Sequence, residues 1–187
     1  MTAVNTAKRA AHSQAVREMF AGIAGRYDLL NHVLSANIDR RWRRLVRLKM
    51  ADVLADPSAV VADIACGTGD LSIELAGSAS AAILGADFCR PMLSLAKEKS
   101  AAASFAIPFI EADAMSLPFA DNAFDAVTIA FGLRNLSDVP DGLAELHRIL
   151  KPGGRLVVLE FSTPVVPGFK GLFDFYFNRI LPRIGGV

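Results

Sequence analysis

"SAVVADIACGTGDLSIELAGS", residues 58–78, decides the fold. Its first seven residues form a short apolar, β-branched run of the kind found in buried strands. Gly67 and Gly69 then bracket a tight turn, where a backbone without side chains can approach a ligand closely. "DLSIELAGS" (70–78) follows with helical spacing and ends near Gly77. Strand, glycine turn and helix in that order open a parallel α/β unit.

The same alternation repeats outward. "AAILGAD" (81–87) reads as a second strand, and "PMLSLAKEKS" (91–100) as a helix with Pro91 in its first turn. "AIPFIEAD" (106–113) is a third strand interrupted early by a proline, and "AFDAVTIAF" (123–131) a fourth. "DVPDGLAELHRIL" (138–150) is a helix, "KPGG" (151–154) a turn, and "RLVVLEF" (155–161) a fifth strand. Upstream, residues 13–52 read as helical, with a turn near Gly25 and a further helix over the arginines that follow. The expected fold is α/β: a doubly wound, mostly parallel sheet behind an N-terminal helical cap. The expected divisions are a cap over 1–54, a core over 55–164 and an aromatic C-terminal helical segment over 165–187.

The 187 residues suit one domain, and 52% hydrophobic residues exclude wholesale disorder. A net charge of +1 gives no general pull toward nucleic acid or anionic membrane. The charge is uneven, with Arg40, Arg41, Arg43, Arg44, Arg47 and Lys49 in one segment. That segment reads as a solvated helix face, with lipid headgroup binding as the other reading. Cys66 and Cys89 lack metal-type spacing and fit a reducing cytosol. The polar, alanine-rich N-terminus lacks the apolar core of a secretory signal, and no apolar run is long enough to span a bilayer.

In open α/β sheets ligands bind beyond the carboxyl ends of the strands. There the sequence places Asp63 and the Gly67–Gly69 turn after the first strand, Asp87 and Phe88 after the second, and Asp113 and Ala114 after the third. Asp87, twenty residues beyond Gly67, stands where a carboxylate accepts both hydroxyls of a ribose. Asp113 or its neighbouring backbone can meet an adenine amino group. A dinucleotide and S-adenosylmethionine both fit this layout. The dinucleotide fingerprint is off-pattern at Ser72, and Asp63 and Asp70 would repel a pyrophosphate at the following helix. A sulfonium and an ammonium are favoured by the same carboxylates. Each acid also has a plain reading: Asp70 as an N-cap, Asp63 as a structural strand-end acid, Asp113 as the cap of a turn.

The chain resembles the class I S-adenosylmethionine-dependent methyltransferases, and more narrowly the ubiquinone/menaquinone biosynthesis C-methyltransferase family. The resemblance rests on "MFAGIAGRYDLLNHVLSANIDRRWRR" (19–44), "DIACGTGDLS" (63–72), "GADFCRPML" (85–93), "EADAMSLPFADNAFDAVTIAFGLRNLSD" (111–138) and "ILKPGGRLVVLEFSTP" (149–164). It implies a Rossmann-like fold and cofactor contacts at Thr68, Asp87, Asp113 and Ala114, with Gly67 and Gly69 shaping the pocket. It also implies methylation of a ring carbon of a polyprenylated quinol. Family members continue past the fifth strand into two further strands, so this chain, ending "RILPRIGGV", is expected to lack them.

A ring carbon becomes nucleophilic when the neighbouring hydroxyl, with a pKa of roughly 10, loses its proton. "IAFGLRNLSD" (129–138) ends the fourth strand in a cation and an amide. Arg134 is therefore assigned to phenolate stabilisation and Asn135 to orienting the ring hydroxyl, with Tyr27 closing over the same pocket. The plain alternative pairs Arg134 with an acid such as Asp138 and makes Tyr27 packing. His32 is a weak candidate base and His147 a structural residue. No metal is expected. The aromatics of 169–184 suit a cap over a lipid tail or a peripheral contact at the inner face of the membrane. A homodimer is left open. The competing functions are a nucleic-acid methyltransferase, against which the near-neutral charge stands, a methyltransferase for another small molecule, and a non-catalytic subunit of the same fold.

Overall fold

A computed structural model describes residues 3–35 and 38–161. The expected C-terminal helical segment and the question of further strands lie outside the described residues. Five strands form one sheet in the order β3-β2-β1-β4-β5, and every pairing is parallel. The strands are β1 (Val60–Ile64), β2 (Ala82–Asp87), β3 (Phe109–Glu111), β4 (Phe124–Ala130) and β5 (Leu150–Leu159). The chain winds outward from β1 to β3, then returns to β4 on the other side of β1. That reversal leaves a crevice at the carboxyl ends of β1 and β4.

Helices cover both faces, as a parallel sheet requires. α1 (Ala3–Leu34), α2 (Ile38–Lys49) and α3 (Ala51–Ala55) precede the sheet; α4 (Asp70–Ala76), α5 (Arg90–Ala102) and α6 (Val139–Ile149) connect its strands. Alternate residues of β1 point into different cores. Val61 packs with Val46, Met50, Leu54 and Leu75 of α2 to α4. Ala62 and Ile64 pack with Val127, Ile129, Leu146 and Ile149 on the α6 side.

Three expectations about local structure change. The turn near Gly25 does not form, because α1 runs unbroken through Gly22 and Gly25. Two helical glycines cost about 1 kcal/mol each, and without a proline that is too little to break a helix whose Phe20, Ala24 and Tyr27 pack on Cys89 and Met92. The third strand is only three residues long, since Pro108 precedes it and it lies at the sheet edge. "KPGG" lies inside β5 and not before it. The ladder pairs Phe124 with Leu150 and then Ala126 with Arg155, so residues 151–154 form an excursion opposite Asp125. Gly153 supplies its positive φ of 78°, and Lys151 reaches Asp125 at 2.8 Å. At α6 the expected start is found, with Asp138 as N-cap accepting the Asp141 N–H at 3.1 Å.

Leu146 is completely buried between α6 and the sheet. Its truncation to alanine is expected to lower unfolding stability by about 3 kcal/mol in urea titrations with an unchanged slope. A loss below about 1 kcal/mol would show that α6 does not close this core.

Candidate active site

The carboxyl ends of β1, β2 and β4 and the segment after β3 surround a pocket of about 650 Å³, open solvent included. Tyr27, Gly67, Asp87, Phe88, Asp113, Ala114 and Asn135 all line it. Seven of the eleven residues singled out from the sequence therefore meet in one place. Ala65 and Phe131, the first residues beyond β1 and β4, also line it and have positive φ of 53° and 57°. Non-glycine residues in this conformation cost about 1–3 kcal/mol each and gather at functional sites. The Phe131 N–H is held by the Leu159 carbonyl at 2.7 Å, which fixes the bend.

The two glycines of the first turn do different work. Gly67 has φ of 55°, and a Cβ there would meet only the edge of the Tyr27 ring, at 3.9 Å. Its open side belongs to the pocket. Gly69, at φ 80°, is the N-cap of α4, and a Cβ would press on Ala96 and Phe109 at 3.0 Å. Gly69 is a packing position. Asp70 is the first residue of α4 and not its cap; it forms ion pairs with Lys99 and Arg43. It lines, with Asp63 and Thr68, a second cavity that adjoins the pocket through Tyr27, Gly67 and Phe131, so carboxylates that favour a cationic ligand stand in both.

Asp87 is 6% exposed, and its two oxygens accept the N–H groups of Gly67 at 2.9 Å and Cys89 at 2.8 Å. Burial raises its pKa, and the two N–H groups oppose the rise. Each oxygen keeps a lone pair for a further donor. Asp113 accepts the Met115 N–H at 2.9 Å, so it caps a turn and lines the pocket at once. Asp63 lies beneath the glycine turn, fully buried, accepting Ser72 Oγ at 2.6 Å and Thr128 Oγ1 at 2.8 Å. Burial pushes its pKa up to about 6. Burial and the nearby Asp63 and Asp87 carboxylates also push the Cys66 thiol well up, which leaves it an inert group.

Two more candidates stand outside this pocket. Thr68 is buried and lines the adjoining cavity, not this pocket; its hydroxyl donates to Asp28 at 2.6 Å and accepts from Lys99 at 3.1 Å. With Lys99 also on Asp28 at 2.6 Å, the glycine turn is tied to α1 and α5. Arg134 does not line the pocket either. Its guanidinium pairs with Glu160, not with Asp138, and lies over the rings of Phe131 at 5.9 Å and Phe161 at 5.2 Å. It supports the aromatic wall behind the pocket. Asp138 instead pairs with Arg9 of α1. Asn135 lines the pocket with its Nδ2 donating to the Phe131 carbonyl at 3.3 Å. His147 is exposed on α6, and the His32 side chain lies outside the described residues.

Sequence reasoning missed Ser13 and Phe20 of α1, which line the pocket beside Tyr27. The signal was present, because positions 13, 20 and 27 are two turns apart and share one helix face. Arg17 lies over the Phe88 ring at 5.4 Å on the same side. No helix among the described residues is long and apolar enough to cross a membrane.

These residues fit S-adenosylmethionine. A glycine with open space admits the ligand close to the backbone, a buried carboxylate awaits vicinal hydroxyls, and Phe88 and Met92 offer apolar surface for a purine. Comparison with known proteins agrees. The model of the ubiE/COQ5 methyltransferase family matches residues 8–187. The chain is 52% identical over 175 residues to a demethylmenaquinone methyltransferase from Deinococcus radiodurans, covering 93% of this chain and 71% of that one. It is 49% identical over 176 residues to the ubiquinone/menaquinone biosynthesis C-methyltransferase UbiE of Geotalea daltonii, covering 92% and 74%. A solved S-adenosylmethionine-dependent methyltransferase from Aquifex aeolicus superposes with a TM-score of 0.57 at 20% identity, over 75% of this chain and 78% of that one. At that identity the likeness concerns the fold alone.

The buried Asp63 predicts a pH signature. Its carboxyl holds a proton more tightly folded than unfolded, so stability falls as pH rises from 3.8 through about 6. Relative to Asp63→Asn, the wild type is expected to lose about 3 kcal/mol across that window in urea titrations. Parallel stability profiles for the two proteins would contradict the assignment.

Proposed function

The chain belongs to the ubiE/COQ5 methyltransferase family, and from that premise we propose that it transfers a methyl group from S-adenosylmethionine to a ring carbon of a polyprenylated quinol. The substrate class is 2-demethylmenaquinol, its ubiquinone-pathway counterpart, or both. The observation that carries the reading is the 52% identity to a demethylmenaquinone methyltransferase over 93% of this chain. The pocket supports it, since carboxylates, aromatic rings and an amide line one cavity.

When bound, S-adenosylmethionine supplies an electrophilic methyl group on a sulfonium. Asp87 accepts the ribose hydroxyls with the lone pairs left free by Gly67 and Cys89. Asp113 and the backbone at Ala114 take the adenine edge, while Phe88 covers its face. Gly67 admits the chain of the ligand beside the Tyr27 ring. Gly69 serves the cofactor indirectly, by holding the glycine turn, while Asp63, Thr68 and Asp70 line the adjoining cavity, which suits the cationic end of the ligand.

The quinol ring lies toward Phe131, between the α1 face that carries Phe20 and Tyr27 and the loop that carries Asn135. Tyr27 and Asn135 are the groups that hydrogen-bond the ring oxygen and favour its ionised form. Arg134 acts as a positioning residue, keeping Phe131 and the loop in place through Glu160. The remaining rate comes from alignment of carbon, methyl and sulfur in a site closed by α1. Because the polyprenyl tail keeps the substrate in the bilayer, the reading includes a cytoplasmic protein in peripheral contact with the inner face of the membrane.

The test is methyl transfer from isotopically labelled S-adenosylmethionine to reduced, short-tailed demethylmenaquinol in detergent, with the product read by mass spectrometry and carbon NMR. One labelled methyl on the ring carbon is expected. Tyr27→Phe is expected to lower kcat roughly tenfold, with affinity for S-adenosylhomocysteine within about twofold of wild type. Folded chain that binds the cofactor product but leaves the quinol unmethylated would refute the reading.

A further inference from the structure

We propose that the outward face of α2 is a docking surface for an anionic lipid bilayer, a proposal that rests on the quinol reading above. Six large apolar side chains are exposed among the described residues, and three of them, Ile38, Leu45 and Leu48, belong to this one helix of 12 residues. They are 43%, 52% and 58% exposed. At 100° per residue they fall within about a quarter of the helix circumference, on the side away from Asp39 and Val46, the two residues that α2 buries.

Cations surround this apolar stripe. Arg40, Arg41, Arg44 and Lys49 are all exposed, and none forms an ion pair among the described residues. The acid that would offset them, Asp39, is 3% exposed and engaged by Ser35 and Arg43. Elsewhere on α2 the arginines do have partners: Arg43 meets Asp39 and Asp70, and Arg47 meets Glu74. Arg40 and Arg44 border a cavity shared with the paired Arg43 and Arg47, while Arg41 and Lys49 stand among the exposed apolar residues. Exposed leucines flanked by free cations match the boundary between acyl chains and anionic headgroups, which rewards both. A duplex nucleic acid would reward the cations and leave the leucines in water.

The location adds to the charge pattern. Trp42, on the same helix, lies 5.9 Å from Phe131 and 5.6 Å from Phe161. Phe131 lines the pocket. An apolar path therefore leads from the pocket wall across three aromatic rings to the edge of the exposed stripe. A bilayer seated on α2 would lie beside this aromatic wall of the pocket.

The experiment is co-sedimentation of the full chain with phosphatidylcholine vesicles, with and without phosphatidylglycerol. Trp42, the only tryptophan in the sequence, reports contact by its emission. Wild type is expected to partition onto the anionic vesicles, less so as salt rises, and to ignore the zwitterionic ones. Arg41→Gln with Arg44→Gln is expected to weaken partition about thirtyfold. Leu45→Ser with Leu48→Ser is expected to weaken it roughly tenfold. Both double variants should keep the wild-type rate on short-tailed quinol in detergent, which also shows them folded. Undiminished partition of the variants, or no partition of the wild type, would overturn the proposal. So would equal capture by a DNA duplex, or a wild-type dimer that Leu45→Ser with Leu48→Ser dissociates. A wild type that binds anionic vesicles but transfers no methyl in detergent would sink the quinol reading and leave the docking face standing.

Discussion

The carboxylate of Asp87 accepts the Gly67 N–H with one oxygen and the Cys89 N–H with the other. Those two bonds fasten the turn after β1 to the turn after β2, on one side of the crevice where the sheet order reverses. Without them the glycine turn has few other ties to the strand end, among them the Cys66 N–H on the Ala86 carbonyl at 3.1 Å. A carboxylate buried to this depth is costly unless donors surround it, and the two amides supply them. The same group faces the pocket, so one residue both builds the site and leaves acceptor capacity in it. Asp63 performs the structural part of this task one layer below, satisfied by Ser72 and Thr128.

A second constraint closes the pocket from outside. α1 crosses its mouth and is held at both ends by charge: Arg9 on Asp138 and Asp141, and Asp28 on Lys99. Between these ties Phe20, Ala24 and Tyr27 pack on Cys89 and Met92. Partly exposed ion pairs contribute little stability each, but their placement fixes which face of α1 looks inward. The aromatic wall opposite is set in the same way, by Arg134 lying between Glu160 and the rings of Phe131 and Phe161.

Much of this was legible in the sequence. Short apolar runs ending in glycine or aspartate marked the strands, and the rule that ligands sit at their carboxyl ends singled out Gly67, Asp87, Asp113 and Asn135, which line one pocket. What the sequence hid was non-local. Nothing local indicates that Arg134 would meet Glu160, 26 residues away, or that Thr68 would turn toward Asp28, 40 residues away. The break at Gly25 was expected because glycine lowers helix propensity, whereas tertiary packing along α1 outweighs that cost. The pocket face of α1 was readable in principle, as Ser13, Phe20 and Tyr27 recur every seven residues. It was passed over because the helix was taken to be interrupted between them.

The measurement that bears most directly on the central role of Asp87 is calorimetric titration of S-adenosylhomocysteine into the wild type and into Asp87→Asn, with both confirmed folded by circular dichroism. The account predicts saturable one-site binding by the wild type. It predicts affinity lowered at least about tenfold in the variant, because the amide can accept at one oxygen only. Equal affinity in the two proteins would contradict it, and would separate the building of this crevice from the binding of its ligand.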